Sequence, residues 1–492
     1  MLVAFFMDNI NLVFSVIHEP SFRKTYQHFW DTTTRREDTD LTWLALLFTV
    51  LSLSATYMPK GFSATVGFEA STIQKLAHTW HSASRQALHA GCFEHKSQLN
   101  QLAVFINSQL YWYAVADIET RNACFAQAVH SAQMLRLDRE GTGANPLETE
   151  MRRRIWWELW IADADRSLNY GRTPLIQTRP DRILLPSNCN DNDITENSIT
   201  SQPEQKATEA SAAIARAKYF RIFHRLFDND REHMHSWEYV SALDREIQAL
   251  DDELPWFFRQ SEWDSGRPFV DHTSVIPQAL IWQHYVIHSS VRIQRLRMMR
   301  PFLATQPAAL EVSVQAAGEA LDSYKSLRSH PILRSNPKFQ ITAHQAYSSA
   351  VQLAAFLLVE RVAPDGLRED IEMVINDLKD NPLDLPMADA AHKLLGRMLW
   401  IHDQRTGGET SGVADSIAPE IGPVFGGESS ARDYLQSRRS RPPRDDVAVA
   451  DDVLIGANSL FDLFDTDWST DQFGLGDWIT LFHDTGGIST NE

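Results

Sequence analysis

Arg152, Arg153 and Arg154 follow one another directly, Trp156 and Trp157 come next, and Asp163, Gly171 and Arg172 close the stretch. A guanidinium is a permanent planar donor that grips carboxylates or phosphates through paired hydrogen bonds and stacks on aromatic rings. Such a set could serve an active site, hold a nucleic-acid phosphate, or lock a fold through ion pairs. Which of these it does depends on the element that carries it.

That element reads as a helix. Asn145 can cap it, Pro146 suits its first position, and Glu148 stands where a capping box needs its return arm. Glu148 and Arg152, Glu150 and Arg154, and Arg154 and Glu158 lie at i,i+4, the spacing of ion pairs along a helix. Ile155, Trp156, Leu159, Trp160 and Asp163 share one side, so Asp163 is expected to point inward among the tryptophans. A buried carboxylate without a partner is costly, and Arg152, Arg166 and Arg172 are the candidates to supply one. Gly171 suits a helix C-terminus. On this reading the arginine run, Asp163 and Arg172 form ion pairs that lock the helix, in preference to contacting a ligand.

Other chemistry-bearing residues are less specific. Asp251-Asp252-Glu253-Leu254-Pro255 is the nearest match to the magnesium site of a terpenoid-synthase-like helical enzyme. It lacks the DDxxD spacing and runs into Pro255, so it reads as a solvated helix end. His78 and His81 stand at i,i+3 with neither an HExxH context nor a third ligand, and surface or core histidines account for them. No Gly-x-Ser-x-Gly elbow, Walker-type loop or dinucleotide fingerprint occurs. The chain reads as a non-enzyme.

The formal net charge of -18 on 492 residues argues against broad binding to a phosphate backbone. Cys92, Cys124 and Cys189 are scattered and form no CxxC pair, which suggests neither a disulfide framework nor a cysteine-based zinc site. The apolar start, Met1 to Met7, lacks a basic flank and meets Asp8 at once, and the uncharged runs that approach the roughly 20 residues of a bilayer span, such as 97–116, are interspersed with polar side chains. A soluble intracellular protein with no membrane partner is expected.

Up to about residue 405 apolar residues recur every three or four positions, so the fold class is all-α: one large helical domain, 1–405. Helices are expected over Leu41–Tyr57, Ile73–Ala90, Gln98–Ala116, Ile118–Leu135, Glu148–Leu168, Ala212–Phe227, Tyr239–Leu254, Val275–Met298, Ala308–Arg328, Ile341–Arg361 and Ala388–Ile401. The polar stretch 186–205 has loop chemistry and reads as a disordered insertion. Residues 406–450, rich in glycine, serine and proline, read as a flexible linker with a basic run, Arg438 to Arg444, that can serve as an import signal.

Residues 451–492 carry nine acidic residues and no Lys or Arg, half of the net charge. Within them Phe461, Phe464 and Trp468 form one stripe, and Leu475, Trp478, Ile479 and Phe482 another. Acidic segments with interleaved aromatics behave as disordered activation segments, whose carboxylates keep the rings solvated until a partner groove accepts them. The rival reading is a helix docked on the protein's own core.

The Arg-Arg-Arg-Ile-Trp-Trp stretch with Asp163, Ser167, Gly171 and Arg172 resembles the signature of the fungal-specific transcription factor domain, the middle homology region of fungal zinc-cluster regulators. Ala164 replaces the arginine usual after the aspartate, and the proline after Gly-Arg is displaced to Pro174. Phe14 to Phe22 resembles the domain's opening motif. Gln133 to Arg139 resembles its L-G-L-H-R-D stretch, with Arg136 and Asp138 in place of the Gly and His. Pro186 to Asp191 and Leu296 to Leu303 resemble two later elements. The likeness spans about residues 9–405.

The resemblance implies a nuclear transcriptional regulator of a fungal gene set, such as a metabolic or secondary-metabolite pathway, with the cytoplasm as a second location. It implies a domain that tunes activity, with a metabolite sensed in the helical core as one means. The implied partners are transcription machinery or a coactivator through the acidic tail, a homo- or heterodimer partner, and a small-molecule effector. The six-cysteine zinc cluster of such regulators is not in this sequence, so no cofactor is assigned to the chain. DNA would be reached through a module lost with an upstream exon or through a partner protein. The alternative is a helical enzyme or a protein-binding module with no transcriptional role.

Overall fold

A computed structural model of the chain describes residues 1–31, 39–58, 70–91, 97–115, 117–170, 172–177, 182–228, 233–264, 278–303, 305–329, 338–359, 366–379, 386–406, 415–425 and 427–437. The architecture is all-α, with no β-strand among the described residues. The helices are α1 (Leu2–Asn9), α2 (Glu19–Asp31), α3 (Leu41–Tyr57), α4 (Ala70–Ala90), α5 (Leu99–Ala114), α6 (Ile118–Met134), α7 (Pro146–Tyr170), α8 (Ser211–His224), α9 (Trp237–Glu253), α10 (Gln260–Asp264), α11 (Gln278–Met299), α12 (Pro307–Ser329), α13 (Lys338–Val359), α14 (Leu367–Lys379), α15 (Pro386–Thr406), α16 (Ala418–Phe425) and α17 (Glu428–Ser437).

Local chemistry sets several starts. Asp40, Asp117 and Ser236 each turn a side-chain oxygen onto a free backbone N–H in the first turn of α3, α6 and α9. α3 is buried on nearly every side, which suits its almost uncharged sequence. It packs on α1, α4 and α5. α7 lies against α5, α6, α8 and α11 and so joins the N-terminal helices to the rest. α11, α12 and α13 follow as neighbours, and α13 carries α14, α15, α16 and α17. One apolar core runs through all of this from Val3 to Leu435.

Two expectations are corrected. The stretch 186–205 is not a disordered insertion but a folded strap. Asn188 holds it closed, its amide donating to the carbonyls of Pro203 (2.9 Å) and Lys206 (3.0 Å) while its Oδ1 accepts from the hydroxyls of Thr208 (2.7 Å) and Ser211 (3.0 Å). Polar composition signals disorder only when the polar groups must turn to water; here they satisfy one another.

The flexible-linker reading fails for 415–437. There α16 and α17 pack on each other and on α13, burying Ile417, Ile421, Phe425, Tyr434 and Leu435. Short helices of this kind are marginal alone and form because packing supplies what propensity does not. The basic run Arg438 to Arg444 and the tail residues Phe461, Phe464, Trp468, Leu475, Trp478, Ile479 and Phe482 lie outside the described residues.

Candidate functional site

The signature helix opens with Asn145 Oδ1 accepting from the Glu148 N–H at 2.8 Å. The Glu148 carboxylate reaches back to the N–H of Ala144 at 3.1 Å, one residue before the cap. Arg152 meets Glu148 at 2.8 Å and also donates to the carbonyl of Leu135 at 2.9 Å, which ties α7 to the end of α6. Arg153 makes a two-point contact with Glu140, at 3.0 and 2.8 Å. The same carboxylate accepts from the N–H of Leu184 at 2.9 Å.

Arg154 is buried and meets two carboxylates, Asp191 at 2.6 Å and Glu150 at 3.2 Å. Burial alone would weaken its hold on the proton, but Asp191 and Glu150 more than offset this and keep the guanidinium charged. Both carboxylates are themselves anchored. Glu150 accepts from the N–H of Ser187 at 3.1 Å, and Asp191 Oδ2 accepts from the N–H of Glu19 at 2.9 Å. The Asp191 carbonyl accepts from His18 Nε2 at 2.9 Å, and its N–H donates to Glu209 at 2.7 Å. One guanidinium thereby fastens α7, the strap and the start of α2 together.

Two expected pairings are corrected. Glu158 does not meet Arg154; it lies buried against Arg216 of α8 at 3.0 Å, and Arg216 also donates to the carbonyl of Val13. Burial pushes the Glu158 carboxyl up to about 7 against the pull of Arg216. Asp163 is inward, but it takes its hydrogen bond from the backbone N–H of Ile176 at 2.7 Å. Burial raises its pKa, opposed by the amides of Ile176 and Leu175 and by the charge of Arg166. Arg152 is engaged elsewhere. The Arg172 side chain is exposed and its backbone N–H donates to the Ser167 carbonyl. Gly171 lies outside the described residues.

The tryptophans are core. Trp156 and Trp157 are buried, Trp157 donates to the carbonyl of Leu184 at 2.8 Å and carries the Arg221 guanidinium over its ring at 4.9 Å, and Trp160 stacks on His224. Since Arg152, Arg153 and Arg154 all point at oxygens of their own chain, with side chains at most 17% exposed, they are not displayed to an external phosphate.

The other candidates are equally occupied. Asp251, read as solvated, accepts from the hydroxyl of Tyr219. His81 stacks on Tyr111, whose hydroxyl meets His78 at 2.9 Å. Among the described residues no group of three His, Cys, Asp or Glu side chains is placed to hold a metal ion, and no helix is long and apolar enough to cross a membrane.

Sequence reasoning missed His18, Glu140, Asp191, Glu209 and Arg216 as members of this network. His18 and Asp191 sat inside stretches already singled out, but nothing in a linear pattern says that they touch.

The profile of the fungal specific transcription factor domain matches residues 3–254, just over half of the chain and the whole of the network. The chain belongs to that family. Among curated relatives, an uncharacterised transcriptional regulatory protein of Schizosaccharomyces pombe is 25% identical over 58% of this chain and 37% of its own length. The fusarisetin A cluster transcription factor of a Fusarium species is 23% identical over 65% of this chain and 44% of its own. The agnestins biosynthesis cluster transcription factor of Paecilomyces divaricatus is 25% identical over 62% and 45%. The match thus spans less than half the length of these relatives. The fungal transcription factor domain here includes α7, and the Arg154 network ties that helix to the strap and to the start of α2.

Proposed function

We propose that this chain is the regulatory part of a fungal transcription factor that acts in the nucleus on a gene set such as a secondary-metabolite cluster. The observation that carries the reading is family membership over 3–254, where the ion-pair network lies, together with relatives named as cluster transcription factors. In this account α7 and its strap form a rigid frame, a small molecule tunes the domain, and DNA is reached through a module or partner outside this sequence, in some cases within a homo- or heterodimer. Residues 451–492 recruit transcription machinery or a coactivator, since their acidity keeps Phe461, Phe464, Trp468, Leu475, Trp478, Ile479 and Phe482 solvated until a groove accepts them. No catalytic role is assigned.

The test is to tether residues 451–492 to a heterologous DNA-binding module. A reporter should be activated, and Trp478→Ala with Phe482→Ala should reduce the output. An inert tail would leave the chain a binding module without an activation role.

A further inference from the structure

A cleft of about 290 Å³ opens between α2, α3, α5 and α7. Its volume is that of a small-molecule site. The body is apolar, with Phe22, Trp43, Met151 and Ile155 among its walls, and the Phe22 and Trp43 rings stand 5.9 Å apart at a tilt of 37°. Among the described residues the one charged side chain lining it is Glu148, whose oxygens already serve Arg152 and the N–H of Ala144. Neither Lys nor Arg lines it among the described residues. An anionic ligand would therefore lose its hydration with nothing to replace it, and a cation would find its carboxylate taken. The acidic tail is a poor occupant for the same reason. Asn100 and the Nδ2 of Asn145 add amide groups that no hydrogen bond among the described residues engages.

One wall is His18, whose Nε2 donates to the Asp191 carbonyl while Asp191 Oδ1 meets Arg154. We infer that this cleft binds one neutral, mainly aromatic or alkyl molecule bearing a carbonyl or hydroxyl group, and that its occupancy is transmitted through His18 and Asp191 to the strap. The inference deepens the regulatory reading above and rests on it for its biological meaning, but its geometry is separate. Binding at the His18 wall favours the arrangement in which Asp191 stays on Arg154, and so steadies residues 187–191.

The probe is N-phenylnaphthylamine, a neutral aromatic amine whose fluorescence rises on leaving water, titrated into the purified full chain. Anilinonaphthalene sulfonate, the same skeleton with an anionic group, is the control. One neutral dye per chain is expected, with the sulfonate bound about tenfold or more weakly. Asn100→Trp, which fills the cleft, and Leu147→Glu, which adds a charge at a helix start that tolerates it, should each weaken the neutral dye about tenfold or more. Their circular dichroism and Tm should stay those of the wild type. Bound dye should slow amide exchange at 187–191.

No saturable binding, equal binding of the sulfonate, or undiminished binding in both variants would overturn the site; unchanged exchange in the strap would overturn the coupling. A chain that takes the dye here yet carries an inert tail keeps the site and loses the activator.

Discussion

Arg154 of α7 and Asp191 of the strap, 37 positions apart in sequence, meet at 2.6 Å in a buried contact. Removing two charges from water is expensive, and their attraction compensates only when the remaining lone pairs and protons are also satisfied. Asp191 meets that condition: its second carboxylate oxygen takes the Glu19 N–H, its carbonyl takes His18, and its N–H goes to Glu209. The contact therefore fixes the position of three chain segments relative to one another.

Arg154→Met should cost roughly 3–5 kcal/mol, the penalty for leaving Glu150 and Asp191 buried without their cation. Urea unfolding measures it, and limited proteolysis should cut the strap faster. Adding Asp191→Leu should recover part of the loss, because one of the two uncompensated carboxylates is then gone while Glu150 remains. A loss below about 1 kcal/mol would make the network ornamental.

At Asp163 the backbone partner makes a sharp distinction. Asp163→Asn keeps an oxygen for the Ile176 N–H and should change stability little, whereas Asp163→Ala orphans that buried amide and should cost about 1–3 kcal/mol. Were an ion pair with Arg166 the main bond, both changes would be similarly damaging in thermal melts.

Glu158 predicts a pH dependence. Its carboxyl sits at about 7 in the folded protein against the ordinary 4.5 of an unfolded chain. Below 4.5 both states hold the proton; as pH rises towards 7 only the unfolded state releases it freely, so this group's contribution to stability is lost across that window. Glu158→Gln does not titrate. From pH 5 to pH 8 the stability difference should therefore shift by roughly 2 kcal/mol in favour of the variant. Parallel melting curves for the two proteins at both pH values would refute the assignment.

Arg136 has a backbone φ of +56°, in the left-handed region that only glycine enters without strain. It follows α6 in a closing turn where the Leu137 N–H donates to the Ala132 carbonyl. Its side chain is not what the turn needs. Arg136→Gly should raise stability by about 1 kcal/mol, read as a higher Tm; a lower Tm would mean that the arginine side chain makes contacts worth more than the strain.

The helices were legible where an apolar stripe outlasted several turns. Leu41–Tyr57 was placed to the residue, and the ends of the helices over 118–134 and 211–224 fell within a few positions, because a buried stripe is a local property of the sequence. The stripe Leu367, Ile371, Val374 and Leu378 of α14 is equally readable, although α14 is not among the expected helices. α16 and α17 were not readable: each is too short to declare itself and exists because α13 offers an apolar face.

The arginine run shows the same division. That it caps, pairs at i,i+4 and turns Asp163 inward follows from the order of residues along one helix, and the family signature is written in that order. Sequence by itself determined an all-α chain, the helix that carries the signature, and the i,i+4 pairs Glu148–Arg152 and Glu150–Arg154 within it. Only the tertiary structure decided the partners: Glu140 for Arg153, Asp191 for Arg154, Arg216 for Glu158 and a backbone amide for Asp163. The physical reason is that helical spacing is set by neighbours within a turn, whereas a buried charge is satisfied by whichever donor or acceptor the packed core brings within 3 Å, and sequence distance does not enter that condition.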